Sequence, residues 1–131
     1  MAHLRTPLSR VRAFGSAREG TGHFMAQRLS AIALVPLIFW FVANIIFFIV
    51  HANHAELVAW IKDPWNTEFL ILLFILLLYH AHAGLQEVVT DYIHNEIFKA
   101  IMMVSMKFFV IAIAVGCVLA VLRIALGGIL V

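Results

Sequence analysis

Three histidines, two carboxylates and two tyrosines lie in one stretch, Tyr79-His80-Ala81-His82-Ala83-Gly84-Leu85-Gln86-Glu87-Val88-Val89-Thr90-Asp91-Tyr92-Ile93-His94, at the end of the apolar run FLILLFILLLY. On a helix turning about 100° per residue, Gly84, Glu87 and Asp91 fall within about 40° of His80 and form one stripe with it. His82 lies about 160° from His80, so the two histidines cannot share a metal ion on one straight helix. One histidine therefore faces a helix bundle, with a glycine one turn further along. A neutral imidazole in that setting is a good axial ligand for haem iron. The glycine would let a flat macrocycle approach the backbone. The same residues equally suit a helix–helix hydrogen bond from His80, with Gly84 as a packing notch.

Asp91 and Tyr92 fall about 16 Å from His80 along the helix axis, at the end of the apolar run. A tyrosine and an aspartate there suit an interfacial belt and a solvated helix end. They also suit a quinone site, in which a phenol donates to a carbonyl oxygen and a carboxylate fixes the phenol's direction. Glu87, a turn before Asp91, reads as a proton relay or as an acid reaching for the interface, and the second reading is the simpler.

The elements that must position these residues follow from composition. The 131 residues are 64% hydrophobic and 12% charged, with mean hydropathy +1.03. Soluble domains are nearer half apolar and a quarter charged, so an all-α integral membrane protein is expected. The length admits three or four spans and excludes a large aqueous domain. Net charge +2 is too small to argue for nucleic acid. Three segments can cross roughly 30 Å of hydrocarbon: about residues 29–50, 69–89 and 100–122. Pro36 and Asn44 interrupt the first, and Lys107 near the start of the third can reach the interface along its own stem.

Arg5, Arg10, Arg12, Arg18 and Arg28 precede or begin the first span against one acid, Glu19, whereas the 51–68 loop carries Lys62 against Glu56, Asp63 and Glu68. This bias places the N-terminus on the cytoplasmic (or matrix) side and the C-terminus on the opposite side. Arg123 opposes that topology with a single charge. Trp60 and Trp65 suit an outer interfacial belt. Residues 1–24 read as a retained basic arm, because no short apolar core with a small-residue cleavage site follows the charges. Residues 25–131 then form a three-helix transmembrane domain. The lone Cys117 lies in an apolar run and reads as helix packing, and no inverted repeat suggests a transporter.

The run His80-Ala-His-Ala-Gly84-Leu-Gln-Glu-Val-Val-Thr-Asp91-Tyr92 resembles the signature of the smaller hydrophobic anchor subunits of succinate dehydrogenase, respiratory complex II. In that family a histidine is followed by three residues and glycine, then six residues and Asp-Tyr, and this chain matches without a gap. Gly22-His23-Phe24-Met-Ala-Gln-Arg28-Leu-Ser30-Ala31 is similar to the family's entry into its first span. The resemblance covers about residues 20–125, with its specificity in about twenty of them.

The resemblance implies that His80 is one axial ligand of a haem b whose other ligand comes from a cytochrome b anchor subunit. Gly84 would pack against that haem. Tyr92 would hydrogen-bond ubiquinone with Asp91 beside it, and Arg28 would pair with a haem propionate or support the quinone pocket. The further partners implied are an iron–sulfur subunit and a flavoprotein subunit that oxidises succinate. The chain itself has no cysteine cluster and no glycine-rich dinucleotide loop, so it is expected to be non-catalytic alone. A bacterial inner membrane is favoured over a mitochondrial one because the arm reads as retained.

Two alternatives stay open: a fumarate reductase anchor, with the electrons reversed, and a small non-redox membrane protein whose histidines only pack helices. A self-sufficient haem carrier would need paired mid-span histidines, whereas His3, His23, His51, His54 and His94 read as lying in arms or loops.

Overall fold

The computed structural model describes residues 18–127, with side chains from residue 21 onward. Four α-helices and no strands occur among these residues: α1 (Arg18–Asn44), α2 (His54–Lys62), α3 (Pro64–Tyr92) and α4 (Glu96–Ala125). Helices are the only open-chain solution in lipid, because each satisfies its own backbone. Three of them are long and apolar enough to cross a membrane, over Thr21–Ile49, Pro64–Tyr92 and Glu96–Ala125. They contain the second and third expected spans and extend beyond both, whereas the first begins eight residues earlier than expected and ends at Ile49, one residue short of the expected end. Most of the expected basic arm, residues 1–17, lies outside the described residues.

The first span is more continuous than its sequence suggests. Pro36 sits inside α1 without ending it. Membrane helices tolerate proline because neighbouring groups and small backbone adjustments compensate for the lost donor. The change comes at Asn44, where α1 passes into a wider π-helical turn over Ile45–Ile49, closed by Val50 N–H donating to Ile45 O at 3.1 Å. The Asn44 amide donates to the Trp40 carbonyl at 2.8 Å and accepts from Trp60 Nε1 at 3.2 Å. The turn is therefore tied to α2.

α2 was not expected from hydropathy. Its N-terminus is fixed by a capping box, with the Asn53 side chain accepting from Glu56 N–H and the Glu56 carboxylate accepting from Asn53 N–H, both at 2.9 Å. Asp63 ends α2 and caps α3, accepting from Trp65 and Asn66 N–H, and Pro64 occupies the first turn where its missing donor costs nothing. The aromatic belt is built on this corner. Trp60 stacks on Trp40 at 5.8 Å between centroids, and Phe69 meets Trp40 edge-on at 5.2 Å. At the opposite end Asn95 caps α4 through Ile97 and Phe98 N–H.

α3 is the central helix, and both α1 and α4 make their principal contacts along it. The α1–α3 seam has a buried core of Leu34, Leu37 and Leu73, flanked by Phe41, Phe69 and Leu76. Its residues alternate three and four apart, as in left-handed packing of nearly antiparallel helices. Continuing the same register, the seam turns polar. Ser30 meets His80, and Gln27 meets Glu87.

Candidate functional site

His80 sits where the α1–α3 seam changes from leucine to polar side chains. It lies sixteen residues after Pro64 and twelve before Tyr92, about 24 and 18 Å from the two ends of α3. The Leu34, Leu37 and Leu73 layer fixes the register of the two helices, and that register sets Ser30 opposite His80.

Ser30 is the most informative neighbour. It is buried, at 5% exposure, and its Oγ lies 3.0 Å from His80 Nδ1 and 2.8 Å from the Gln27 carbonyl oxygen. A carbonyl only accepts, and a serine hydroxyl has one proton. Both contacts are satisfied together only when Ser30 donates to Gln27 and accepts from His80 Nδ1–H. That arrangement puts a proton on Nδ1, and in a neutral imidazole so held the lone pair lies on Nε2, the nitrogen available to a ligand-binding role. No hydrogen bond to Nε2 comes from any described residue, and among those residues no buried side-chain polar atom lacks a partner.

Gly84 adds an independent observation. A Cβ placed there meets nothing within 4 Å, so this chain does not use the glycine as a notch for its own helices. The space beside it is open. Among the described residues no three His, Cys, Asp or Glu side chains gather as a metal cage. The donor set is thus one oriented imidazole beside an open glycine flank. It suits a flat ligand whose remaining coordination is supplied from elsewhere.

The remainder of the stripe is organised more loosely. Glu87 is exposed and accepts from Gln27 Nε2 at 3.3 Å, and Gln86 Oε1 lies 3.3 Å from His23 Nε2. His23, expected in the arm, is inside α1. Asp91 lines a polar cavity of about 490 Å³ together with His23, Phe24, Gln86, Glu87 and Thr90. Tyr92 is 80% exposed at the last residue of α3 and does not line that cavity. The two adjacent side chains diverge, and no hydrogen bond joins Asp91 to Tyr92.

Arg28 lies two residues, about 200°, around α1 from Ser30, and its guanidinium sits 4.9 Å from the Phe24 ring centroid. The structure therefore brings Ser30, Gln27 and Glu87 to the His80 seam but not Arg28. His82 faces the other way, toward α4 and Lys107. Sequence reasoning gave no role to Ser30 or Gln27. The available signal was Gln27 and Ser30, three apart and flanking Arg28 at the entry to the first span.

The profile of one protein family, described as "Succinate dehydrogenase/Fumarate reductase transmembrane subunit", matches residues 2–126. A succinate dehydrogenase hydrophobic membrane anchor subunit of Rickettsia bellii is 31% identical over 121 residues, covering 90% of this chain and 94% of the relative. The protein of the same description from Rickettsia typhi is 24% identical over 119 residues, covering 90% and 94%. A succinate dehydrogenase membrane anchor subunit of Reclinomonas americana is 24% identical over 85 residues, covering 63% and 71%. No solved structure gives a significant match. With its three apolar helices, its oriented mid-span histidine and a profile match over nearly its whole length, the chain belongs to the succinate dehydrogenase/fumarate reductase transmembrane subunit family.

Proposed function

We propose that this chain is the smaller membrane anchor of a bacterial succinate:quinone oxidoreductase, presenting His80 Nε2 to a haem b shared with a cytochrome b anchor subunit and helping to form a ubiquinone site at the Asp91–Tyr92 end. The observation that carries the reading is the Ser30–His80 contact, in which Nδ1–H donates to Ser30 and Nε2 has no hydrogen-bond partner among the described residues. When bound, the haem supplies a one-electron redox centre within the membrane. The protein holds the ring plane of His80 through Ser30, and Gly84 leaves its flank open.

At the other depth, Tyr92 is the hydrogen-bond donor for a quinone carbonyl. Asp91 and Glu87, with His23 in the same polar cavity, offer groups through which the two protons of quinone reduction arrive from water. Arg28, on a different face of α1, serves a propionate or pocket contact only at the junction with a partner subunit. The electrons come from an iron–sulfur subunit fed by a flavoprotein subunit, so the chain positions and docks without catalysing succinate oxidation. The excess of arginine before the first span favours a cytoplasmic N-terminus and Asp91–Tyr92 end in a bacterial inner membrane. These relatives carry succinate dehydrogenase names, which favours succinate oxidation over the reverse reaction.

Gentle purification through a tag on this chain tests the reading. Three further subunits and a reduced b-type haem band should accompany it. A chain that purifies alone, without visible absorbance, would contradict the proposal.

A further inference from the structure

A second polar feature lies on the far side of α3, sharing only His23 and Gln86 with the cavity beside Asp91. The α3–α4 groove holds a cavity of about 390 Å³ that is open at the surface. At one end it is lined by His82, Gln86, Lys107 and His23, and at the other by Ile75 and Ala114. Lys107 also lines an adjoining cavity of about 210 Å³ with His82 and Gln86.

The groove has a direction. Gln86 lies six residues from the Tyr92 end of α3, and Ile75 lies seventeen residues from it, about 9 and 26 Å along the axis. Polar lining therefore faces the headgroup level on the α3–α4 turn side, and apolar lining faces the bilayer centre. Lys107, eleven residues into α4, stands at the depth of His82. Its stem can carry the ammonium toward that headgroup level.

Charge selects the occupant. Among the described residues the one ion pair joins Lys99 to Glu96, and no carboxylate pairs with Lys107. Water suits the polar end but not the apolar one. A neutral isoprenoid would fill the apolar end and leave the ammonium unmatched. A phospholipid of the leaflet at the α3–α4 turn satisfies both ends.

We propose that the α3–α4 groove is a binding site for an anionic glycerophospholipid, with its phosphate on Lys107 and hydrogen-bonded by His82 and Gln86, and one acyl chain along Ile75 and Ala114. The site is independent of the haem assignment, because His80 faces α1.

The test is lipid retention by the intact complex, delipidated and re-equilibrated in bilayers of phosphatidylcholine doped with phosphatidylglycerol, and read by mass spectrometry. Phosphatidylglycerol should be retained over phosphatidylcholine. Lys107→Gln should reduce that retention about fivefold, the scale of one lysine's attraction to an anionic lipid surface. Lys107→Arg should preserve retention, showing that charge rather than folding is lost, and Lys99→Gln should leave it unchanged. Ala114→Phe should lower it by filling the acyl end. The proposal is overturned if Lys107→Gln retains phosphatidylglycerol as well as the parent complex does, if inorganic phosphate displaces the lipid, or if an isoprenoid quinone is what departs with Lys107.

Discussion

The Ser30 hydroxyl has one proton, and the Gln27 carbonyl takes it, so the side chain that orients His80 is one that hydropathy patterns ignore. Outer hydrogen bonds to metal-ligating histidines typically matter by 10–100-fold in metal affinity. Ser30→Ala is therefore expected to lower haem retention by about tenfold or more in the purified complex, with subunit composition unchanged. The ratio of haem absorbance to protein checks this, and full retention would show that Ser30 does not set the ring. At the other end of the stripe, Tyr92→Phe should lower succinate–quinone activity while sparing succinate oxidation by an artificial soluble acceptor. Equal loss of both would point to failed assembly instead. His80 was legible because a polar residue in the middle of an apolar run stands out. Ser30 was not, since its partner is fifty residues away and only the folded seam brings them together. The divergence of Asp91 from Tyr92 was hidden too, because adjacency in sequence does not fix where two side chains point at a helix end.

At the scale of elements, the three long helices were legible from hydropathy alone, and their ends were not. α1 runs through Pro36, and α2 was missed because a nine-residue interfacial helix gives no spanning signal. Its markers were local instead: Asn53 and Glu56 spaced for a capping box, then Asp63 ahead of Pro64. Asn44 joins this corner to α1 by accepting from Trp60 Nε1, while its amide donates to the Trp40 carbonyl within α1. Each such bond contributes about 1 kcal/mol net, so Asn44→Leu should destabilise the complex by about 1–3 kcal/mol, allowing for an unpaired Trp60 donor. Thermal unfolding of the complex measures that loss. The haem spectrum should be unaltered, because Asn44 lies at the opposite end of the seam from His80. Loss of haem without a change in thermal stability would contradict this division of roles.

The described residues bury little of themselves. Large apolar side chains such as Phe39 and Phe47 on the first span and Phe108 and Phe109 on α4 are left exposed, and the buried cluster is a short leucine layer between α1 and α3, with Leu70, Ala83, Val89 and Val121 buried apart from it. Lipid and partner subunits must cover the rest, in keeping with membership of a transmembrane subunit family. On the proposed reading, the single oriented histidine and the open glycine flank are half of a ligand site that a partner subunit completes. The two histidines of the opening stretch separate this view most sharply, since His80 faces α1 through Ser30 and His82 faces Lys107 across the α3–α4 groove. The decisive measurement is the reduced-minus-oxidised spectrum of the purified complex carrying His80→Ala or His82→Ala. The b-type haem band should be lost or shifted in the first and intact in the second. A normal band in His80→Ala, together with its loss in His82→Ala, would contradict the assignment of His80 as the ligand.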